Sequence, residues 1–569
     1  MNIIGINAYH ADSSAALLID GNLKCATEEE RFTRIKHWAG LPIQSIKFCL
    51  EYAGLSIQDI DKIVIGRDPA VKKKEKIEYL IKNPKSGINL LKQRLNNKND
   101  ITKLESLLKN ELGRTPDIGY IEHHRAHLAS AFFSSPFQES AIISIDGSGD
   151  FTTVIFGYGT GNKIKVIDTQ NFPISVGIFY TAFTQFLGFP YYGDEYKVMG
   201  LSPYGKDIFK KEIKELFFTG DTTLLRWNKK FFDINSGVIS YENNIPQVSK
   251  LYNEVNFKTV FGPPRIAKTK ISQRDKDLAK SVQSVTEDVI FNLLNKLYNL
   301  TPSSNICLAG GVAQNSVANG KILQNTSFKD LYVPSAGHDA GIAMGAAQYE
   351  YFHNHNKPRT KPVYNANLGI EFSNNQIEEI INKYGLKATF YEDKELNKYL
   401  AKSISNGKVV GYFQGRAEFG PRALGSRSIL ADPRNANAQQ LLNEKIKKRE
   451  SFRPFAPSIL EEYGDEYFDN YQFTPFMERV LKIKTNKQKL IPAVTHVDGT
   501  GRLQSVRKKL RPKYYNLIEE FRNITGIPIL INTSFNENEP VVNRPEEAID
   551  CYLRTDLDIL CLENYVLEK

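Results

Sequence analysis

The sequence predicts an α/β protein made of two successive α/β domains. Three observations carry this reading. Short apolar runs alternate with amphipathic, helix-period segments through the first part of the chain. Polar, proline-bearing chain follows at residues 354–367, with Pro358 and Pro362. Beyond it the alternation resumes. Such alternation defines the α/β class, and 569 residues exceed what one hydrophobic core holds. The expected domains are 1–355 and 370–569, joined by a linker at 356–369.

In order, residues 2–6 read as a strand and 15–19 as a second. Asp20-Gly21 turns the chain into a third at 23–26, a hairpin signal. Ile43–Ala53 has helical period and Lys62–Ile65 is a strand. A strand at 119–121 leads to a helix starting near Ala126. Residues 140–145 form a buried strand, followed by another at 152–158. Leu278, Val282, Val285, Val289, Leu293 and Leu297 mark one face of a long amphipathic helix. Asn305–Ala309 is a strand, then come a Gly-Gly turn and a helix from about Gln314. A strand at 330–333 precedes Gly337 to Asp339, which opens a helix rich in Ala and Gly. The second domain begins with a helix at 374–384 and a strand at 409–413. A loop carrying Gly415, Gly420, Pro421 and Gly425 follows, and 528–530 is a buried strand.

Bulk properties narrow the function. Hydrophobic residues make up 41%, enough for real cores and too many for wholesale disorder. No apolar run reaches the roughly 18 residues of a membrane span. The first residues lack the basic and apolar regions of a secretory signal, so a cytoplasmic location is expected. Cys25, Cys49, Cys307, Cys551 and Cys561 form no CxxC pair. They read as reduced, buried thiols rather than zinc ligands. The net charge of +10 raises the question of a nucleic-acid partner. The densest basic run, residues 72–76 with more Lys and Arg up to 103, is interleaved with helix formers and reads as a solvated helical surface. A nucleic-acid partner is therefore not expected.

Five constellations carry chemistry. His123-His124-Arg125-Ala126-His127 places three of the nine histidines within five positions. On a helix, His123 and His127 share one face one turn apart, as two ligands of one metal ion would. A surface cluster at a helix start is the competing reading. Residues 142–150, IISIDGSGD, carry a buried strand into an acid, Asp146, inside a glycine-rich turn. Ligands sit at such strand ends in α/β sheets, although Asp also simply forms turns. Gly310 and Gly311, before Gln314 and Asn315, leave backbone amides at a strand-to-helix turn, where anions bind. Gly337-His338-Asp339 repeats the pattern of an acid at a strand end. In the second domain, 415–427 (GRAEFGPRALGSR) and 445–455 (KIKKRESFRPF) set cations among Gly, Pro and Phe. That composition suggests a shaped anion pocket, since Arg forks match phosphate oxygens. No GxxxxGK[ST] motif occurs. Residues 532–536, NTSFN, and the polar turn 497–502, VDGTGR, complete the set.

Together these motifs resemble the O-carbamoyltransferases of nodulation and antibiotic biosynthesis. The resemblance spans nearly the whole chain and is carried by EEERF (28–32), GDEYKVMGLSPY (193–204), GPRALG (420–425), FRPFAP (452–457) and NTSFN (532–536). It implies an N-terminal domain of the actin-like ATPase (ASKHA) superfold, similar to the domain that completes tRNA threonylcarbamoylation. It implies a C-terminal YrdC-like α/β domain with a twisted open sheet, similar to the one that makes threonylcarbamoyl-adenylate. The family's metal ligands fall on His123, His127, Asp146 and Asp339, with Fe(II) or another divalent ion implied. Its carbamoyl phosphate pocket falls on Arg422, Lys447, Arg453 and Asn532. Arg502 and Ser534 are candidate nucleotide contacts, beside Gly310, Gly311, Gln314 and Asn315. In the first turn the chain departs from many members by placing Ala11 between His10 and Asp12.

The implied reaction has two steps. ATP, with Mg, and carbamoyl phosphate give a carbamoyl-adenylate in the C-terminal domain. The carbamoyl group then passes, at the metal, to a hydroxyl of a small natural product, with His10 or Asp12 taking the proton. Competing readings are a threonylcarbamoyl-type tRNA-modifying enzyme, a small-molecule kinase of the same superfold, and a nucleotide-binding module without turnover. A homodimer is compatible with the sequence. Residues 206–274 carry few family motifs and are expected to shape the acceptor pocket.

Overall fold

The computed structural model describes residues 1–84, 104–221, 223–234 and 238–569. It divides into two compact units, Met1–Val363 and Tyr364–Lys569.

The first unit contains the same sheet twice. Asn2–Asn7 pairs antiparallel with Ser14–Ile19, and that strand with Asn22–Glu28. On its other side Asn2–Asn7 pairs parallel with Lys62–Ile65, which pairs parallel with Asp117–Tyr120. In the second sheet Glu139–Gly149 takes the central role. It pairs antiparallel with Thr152–Thr160, which pairs with Lys163–Asn171, and parallel with Asn305–Ala309, which pairs with Asp330–Tyr332. Two sheets of identical strand order and direction are the duplicated architecture of the actin-like ATPase fold. The parallel strands carry apolar runs because both faces are covered; Ile63, Val64, Ile142, Ile143, Ile306 and Cys307 are fully buried.

Small residues bring the functional segments together. The helix Gly341–Gln348 packs against both the strand Asn2–Asn7 and the helix His123–Phe132. A Cβ on Gly5 would lie 1.9 Å from Ala343 O, and one on Gly345 would lie 1.9 Å from Ala126 O. Only glycine permits such approach. The ends of these three elements therefore converge, and they carry His10, His123 and Asp339.

Most expected elements are present within a few residues. The long helix is Gln273–Leu300, opened by a Ser272–Asp275 capping box. All six residues of its apolar stripe are buried. The helix expected near Ala126 begins at His123, because Glu122 caps it by accepting from His124 N and Arg125 N. The helix expected from about Gln314 begins at Ser316 but is short. A 3₁₀ turn, Gly311–Gln314, precedes it, and it spans only the four residues Ser316–Asn319. Asn315 bonds Gln283 through both ends of its amide and caps the short helix, which breaks the run. Lys73–Lys82 is a helix with Lys73 and Lys74 exposed and Tyr79 buried, a solvated surface helix. The basic run at 85–103 lies outside the described residues.

Part of the proline-bearing stretch is packed on the first unit. Arg359 donates to the carbonyls of Phe132, Ser135 and Phe137, and Thr360 Oγ1 donates to Gly21 O. Residues 367–369 belong to the second unit, where Asn367 Nδ2 donates to Ser426 Oγ.

The second unit is an open, mixed nine-stranded sheet with helices. Its central strands run in the order Val410–Phe413, Arg427–Ala431, Ile529–Ser534, Ala456–Leu460, Thr500–Val506. Ile429, Leu430, Ile459, Leu503, Ile529 and Leu530 from these strands are fully buried. Each such side chain contributes roughly 1.5–3 kcal/mol on burial. No helix among the described residues is long and apolar enough to cross a membrane. All five cysteines are free and buried.

Candidate metal centre and anion pocket

His123, His127, Asp146 and Asp339 converge, each offering a ligand atom within 4.8 Å of the others. His127 Nε2 stands 3.2 Å from Asp146 Oδ2 and 3.3 Å from Asp339 Oδ1. His123 Nε2 stands 3.3 Å from Asp146 Oδ2 and 3.7 Å from Asp339 Oδ1. The helix His123–Phe132 supplies the imidazoles from one face, and the strand Glu139–Gly149 supplies Asp146. Gly149 makes room, since a Cβ there would lie 2.1 Å from the His123 ring.

This donor set fits a divalent cation. All four residues are buried. Asp339 Oδ1 is sealed from solvent and accepts no hydrogen bond, although it faces two imidazole nitrogens. Two buried carboxylates in one site call for positive charge. Burial alone would raise the Asp146 carboxyl, but bonds and charge from His123 and His127 hold it well below the usual range. Burial pushes the His123 imidazole down, whereas the two carboxylates overcome burial at His127 and raise it to about 9. Two nitrogens and two carboxylates suit iron, manganese or zinc.

The third histidine of the cluster is structural. His124 Nε2 donates to Thr152 O and Nδ1 pairs with Ser144 Oγ, each at 2.9 Å. Burial and the neighbouring His123 press it down to about 3, so it is neutral.

His10 and Asp12 sit in the turn after Asn2–Asn7. His10 Nδ1 lies 2.7 Å from Asp339 Oδ2, and its ring is 5.3 Å from that of His123. Asp12 pairs instead with His37, Oδ1 to Nδ1 at 2.8 Å. Arg67 lies beside His10 and Tyr241, anchored by a 2.9 Å bond to Tyr9 O. Neither His37 nor Arg67 belongs to a spacing pattern; only the fold brings them here.

Gly310 and Gly311 flank Asp146. Gly310 N donates to Gly337 O, and a Cβ on Gly311 would be 2.9 Å from Asp146 Oδ1. Gln314 approaches Gly337. The short helix behind them offers no extended N-terminal field.

In the second unit the sheet register assembles the cations. Asn532 lies opposite both Leu430 and Ala456, so the segments carrying Arg422 and Arg453 flank it. Arg502 is on the next strand but one, Thr500–Val506. Burial, then the charges of Arg422, Arg449 and Arg453, push the Arg502 guanidinium well below its usual range. A polyanion bound among these cations would offset their mutual repulsion. Asn532 Nδ2 donates to Gln504 Oε1 and Ser458 Oγ, while its Oδ1 is buried without a donor. Lys447 is buried and bonds the carbonyls of Ser534 and Asn536, Ser534 Oγ and Asn536 Oδ1. It thus ties the NTSFN turn together. Glu418 accepts from the backbone amides of Leu424, Ser426 and Arg427, which shapes the GPRALG loop. Glu418 lies inside the 415–427 run, but no spacing in the sequence marks it as the anchor of this loop.

The chain thus carries a buried His/Asp cluster on its actin-like unit and a group of neighbouring arginines on its second α/β unit. Residues 2–348 match the family model "Carbamoyltransferase N-terminus" and residues 401–569 match "Carbamoyltransferase C-terminus". The chain belongs to the carbamoyltransferase family and is a carbamoyltransferase. It is 38% identical to nodulation protein NolNO of Sinorhizobium fredii, over 99% of this chain and 80% of that protein. It is 37% identical to nodulation protein NolO of Bradyrhizobium diazoefficiens, over 79% of each. A Synechocystis protein, sll1178, is 39% identical over 100% of this chain and 97% of its own length.

Proposed function

We propose that the enzyme activates carbamoyl phosphate with ATP and transfers the carbamoyl group to a hydroxyl of a small molecule. What supports this is that a carbamoyltransferase carries a buried His/Asp cluster that could hold a metal in one unit and a group of neighbouring arginines around Arg502 in the other. Arg422, Arg453 and Asn532 hold carbamoyl phosphate, Lys447 keeps the NTSFN turn in shape through its bonds to Ser534 and Asn536, and Arg502 with Ser534 contacts the nucleotide. Water cleaves carbamoyl phosphate to carbamate and phosphate, the carbamate oxygen bonds to the α-phosphorus of ATP as pyrophosphate leaves, and cations placed where phosphate charge develops favour this formation of carbamoyl-adenylate. NolNO and NolO, nodulation proteins, are compatible with a small-molecule acceptor.

His123, His127, Asp146 and Asp339 would hold a divalent ion, Fe(II) by family resemblance, which would supply Lewis-acid charge to offset that of the adenylate phosphate. Arg67 adds a cation beside His10. His10 orients Asp339 through its outer oxygen, the role second partners of metal ligands commonly take. Asp12 takes the proton of the attacking hydroxyl.

The test needs no acceptor. Purified protein is incubated with ATP and carbamoyl phosphate and assayed for carbamoyl-adenylate and for carbamoyl-phosphate-dependent release of pyrophosphate. Formation of both supports the reading. ADP as the sole nucleotide product overturns it in favour of a kinase.

A further inference from the structure

We propose that His37 is a positioning residue for carbamoyl transfer, its imidazole fixing the Asp12 carboxylate so that the second carboxylate oxygen faces the attacking hydroxyl. This rests on the transfer reaction proposed above and adds a residue to it.

Geometry supports the assignment. Asp12 and His37 are both non-glycine residues with positive φ, +58° and +57°. Such backbone is costly for a residue with a side chain and persists where the surroundings over-determine it. The turn of residues 9–13 is tied to residues 38–40 by Ser13 N to Trp38 O, Tyr9 N to Gly40 O and Ser13 Oγ to Gly40 O. Asn7 Nδ2 donates to the carbonyls of Ala11 and Asp12 from below. Two strained turns are thus locked together, and their side chains meet at 2.8 Å.

His37 is held on its remaining sides. Its backbone amide donates to Glu30 Oε2 at 2.9 Å. Tyr192 meets its ring edge-on at 5.0 Å, and Gly193 backs Nε2, where a Cβ would lie only 2.7 Å away. Every constraint aims Nδ1 at Asp12 Oδ1. Asp12 Oδ2 accepts no hydrogen bond among the described residues, and the side chain keeps 10% of its surface exposed. The pair stands next to the metal centre, within electrostatic reach of His338 and Asp339.

In the step this arrangement serves, the hydroxyl oxygen bonds to the carbamoyl carbon. The bond from that carbon to the phosphate oxygen breaks, and its electron pair leaves with AMP. The hydroxyl proton goes to Asp12 Oδ2. His37 moves no proton; it keeps Asp12 ionised and aimed. The charged and titratable groups around the pair are Glu30, Lys36, Glu195, Tyr192, Tyr241, His338 and Asp339.

The test measures AMP release from chemically prepared carbamoyl-adenylate, with water and ethanol as probe acceptors, on the metal-loaded enzyme. His37→Gln, which moves the donor away from the Nδ1 position, should lower kcat about tenfold or more with little change in KM. It should also move the acid limb of the pH profile to higher pH. His37→Asn places an amide donor where Nδ1 was and should recover part of the rate. The double variant Asp12→Asn/His37→Gln should be no slower than Asp12→Asn, because residues acting as a unit are not additive. Multiplicative losses, an unmoved acid limb, or His37→Asn equal to His37→Gln would overturn the assignment. A wild-type rate no higher than that of His127→Ala would show that the transfer reading itself has failed.

Discussion

His10 Nδ1 and Asp339 Oδ2 are 2.7 Å apart, while the other oxygen of Asp339 faces His123 and His127. One oxygen of the carboxylate thus meets His10 and the other is left facing the two imidazoles. Removing the orienting group should weaken metal binding more than it disturbs the fold. For His10→Ala, titration against a metal-binding dye should show affinity reduced about 10- to 100-fold. Unchanged affinity would return His10 to the role of proton acceptor.

The two half-reactions should separate by mutation. His127→Ala should stop transfer and leave carbamoyl-adenylate formation largely intact. Arg453→Ala should abolish activation yet leave transfer from supplied adenylate working. Product analysis by mass spectrometry checks both. Loss of the same half-reaction in both variants would refute the division of labour.

His124 should behave unlike its neighbours. His124→Leu leaves Thr152 O and the Ser144 hydroxyl without partners in a buried site. Denaturant unfolding should show a loss of about 1–3 kcal/mol for each unsatisfied group. Metal stoichiometry should stay as in the wild type.

The His37–Asp12 pair should make stability depend on pH in a defined window. Asp12, followed by Glu30, holds the His37 imidazole up to about 9 against the effect of burial, from the ordinary 6.5. A raised folded value means the contribution is full below about 6.5 and is lost as pH rises through about 9. The Tm difference between wild type and His37→Gln should therefore shrink between those limits. A difference that grows with pH would contradict the pairing.

Arg67 should matter to anion binding at the metal centre. Arg67→Gln should raise KM for carbamoyl-adenylate several-fold with a smaller effect on kcat, while activation in the C-terminal unit proceeds normally. A change confined to kcat would point to the reacting bond rather than the phosphate.

Much of this was legible from local chemistry alone. The parallel strands announce themselves as apolar runs, and the long helix as a stripe at every third or fourth residue. His123 and His127 are one helical turn apart, so a shared face follows from the helix period. Arg422, Arg453 and Lys447 stand among Gly, Pro and Phe, a composition that reads as a shaped site rather than a solvated helical run. What local chemistry misjudged is equally specific. The helix expected from about Gln314 is cut to four residues, Ser316–Asn319, after a 3₁₀ turn, where Asn315 bonds Gln283, a residue 32 positions earlier.

The sequence by itself determined the α/β class, the two domains' worth of alternation, the i, i+4 histidine pair and the identity of the cations. Only the tertiary structure decided which histidine of the cluster is mere core, which acid His10 serves, and that His37 meets Asp12. The reason is physical. Period and composition are properties of neighbouring residues, whereas these contacts join segments brought together by sheet register and by glycines at which two backbones touch.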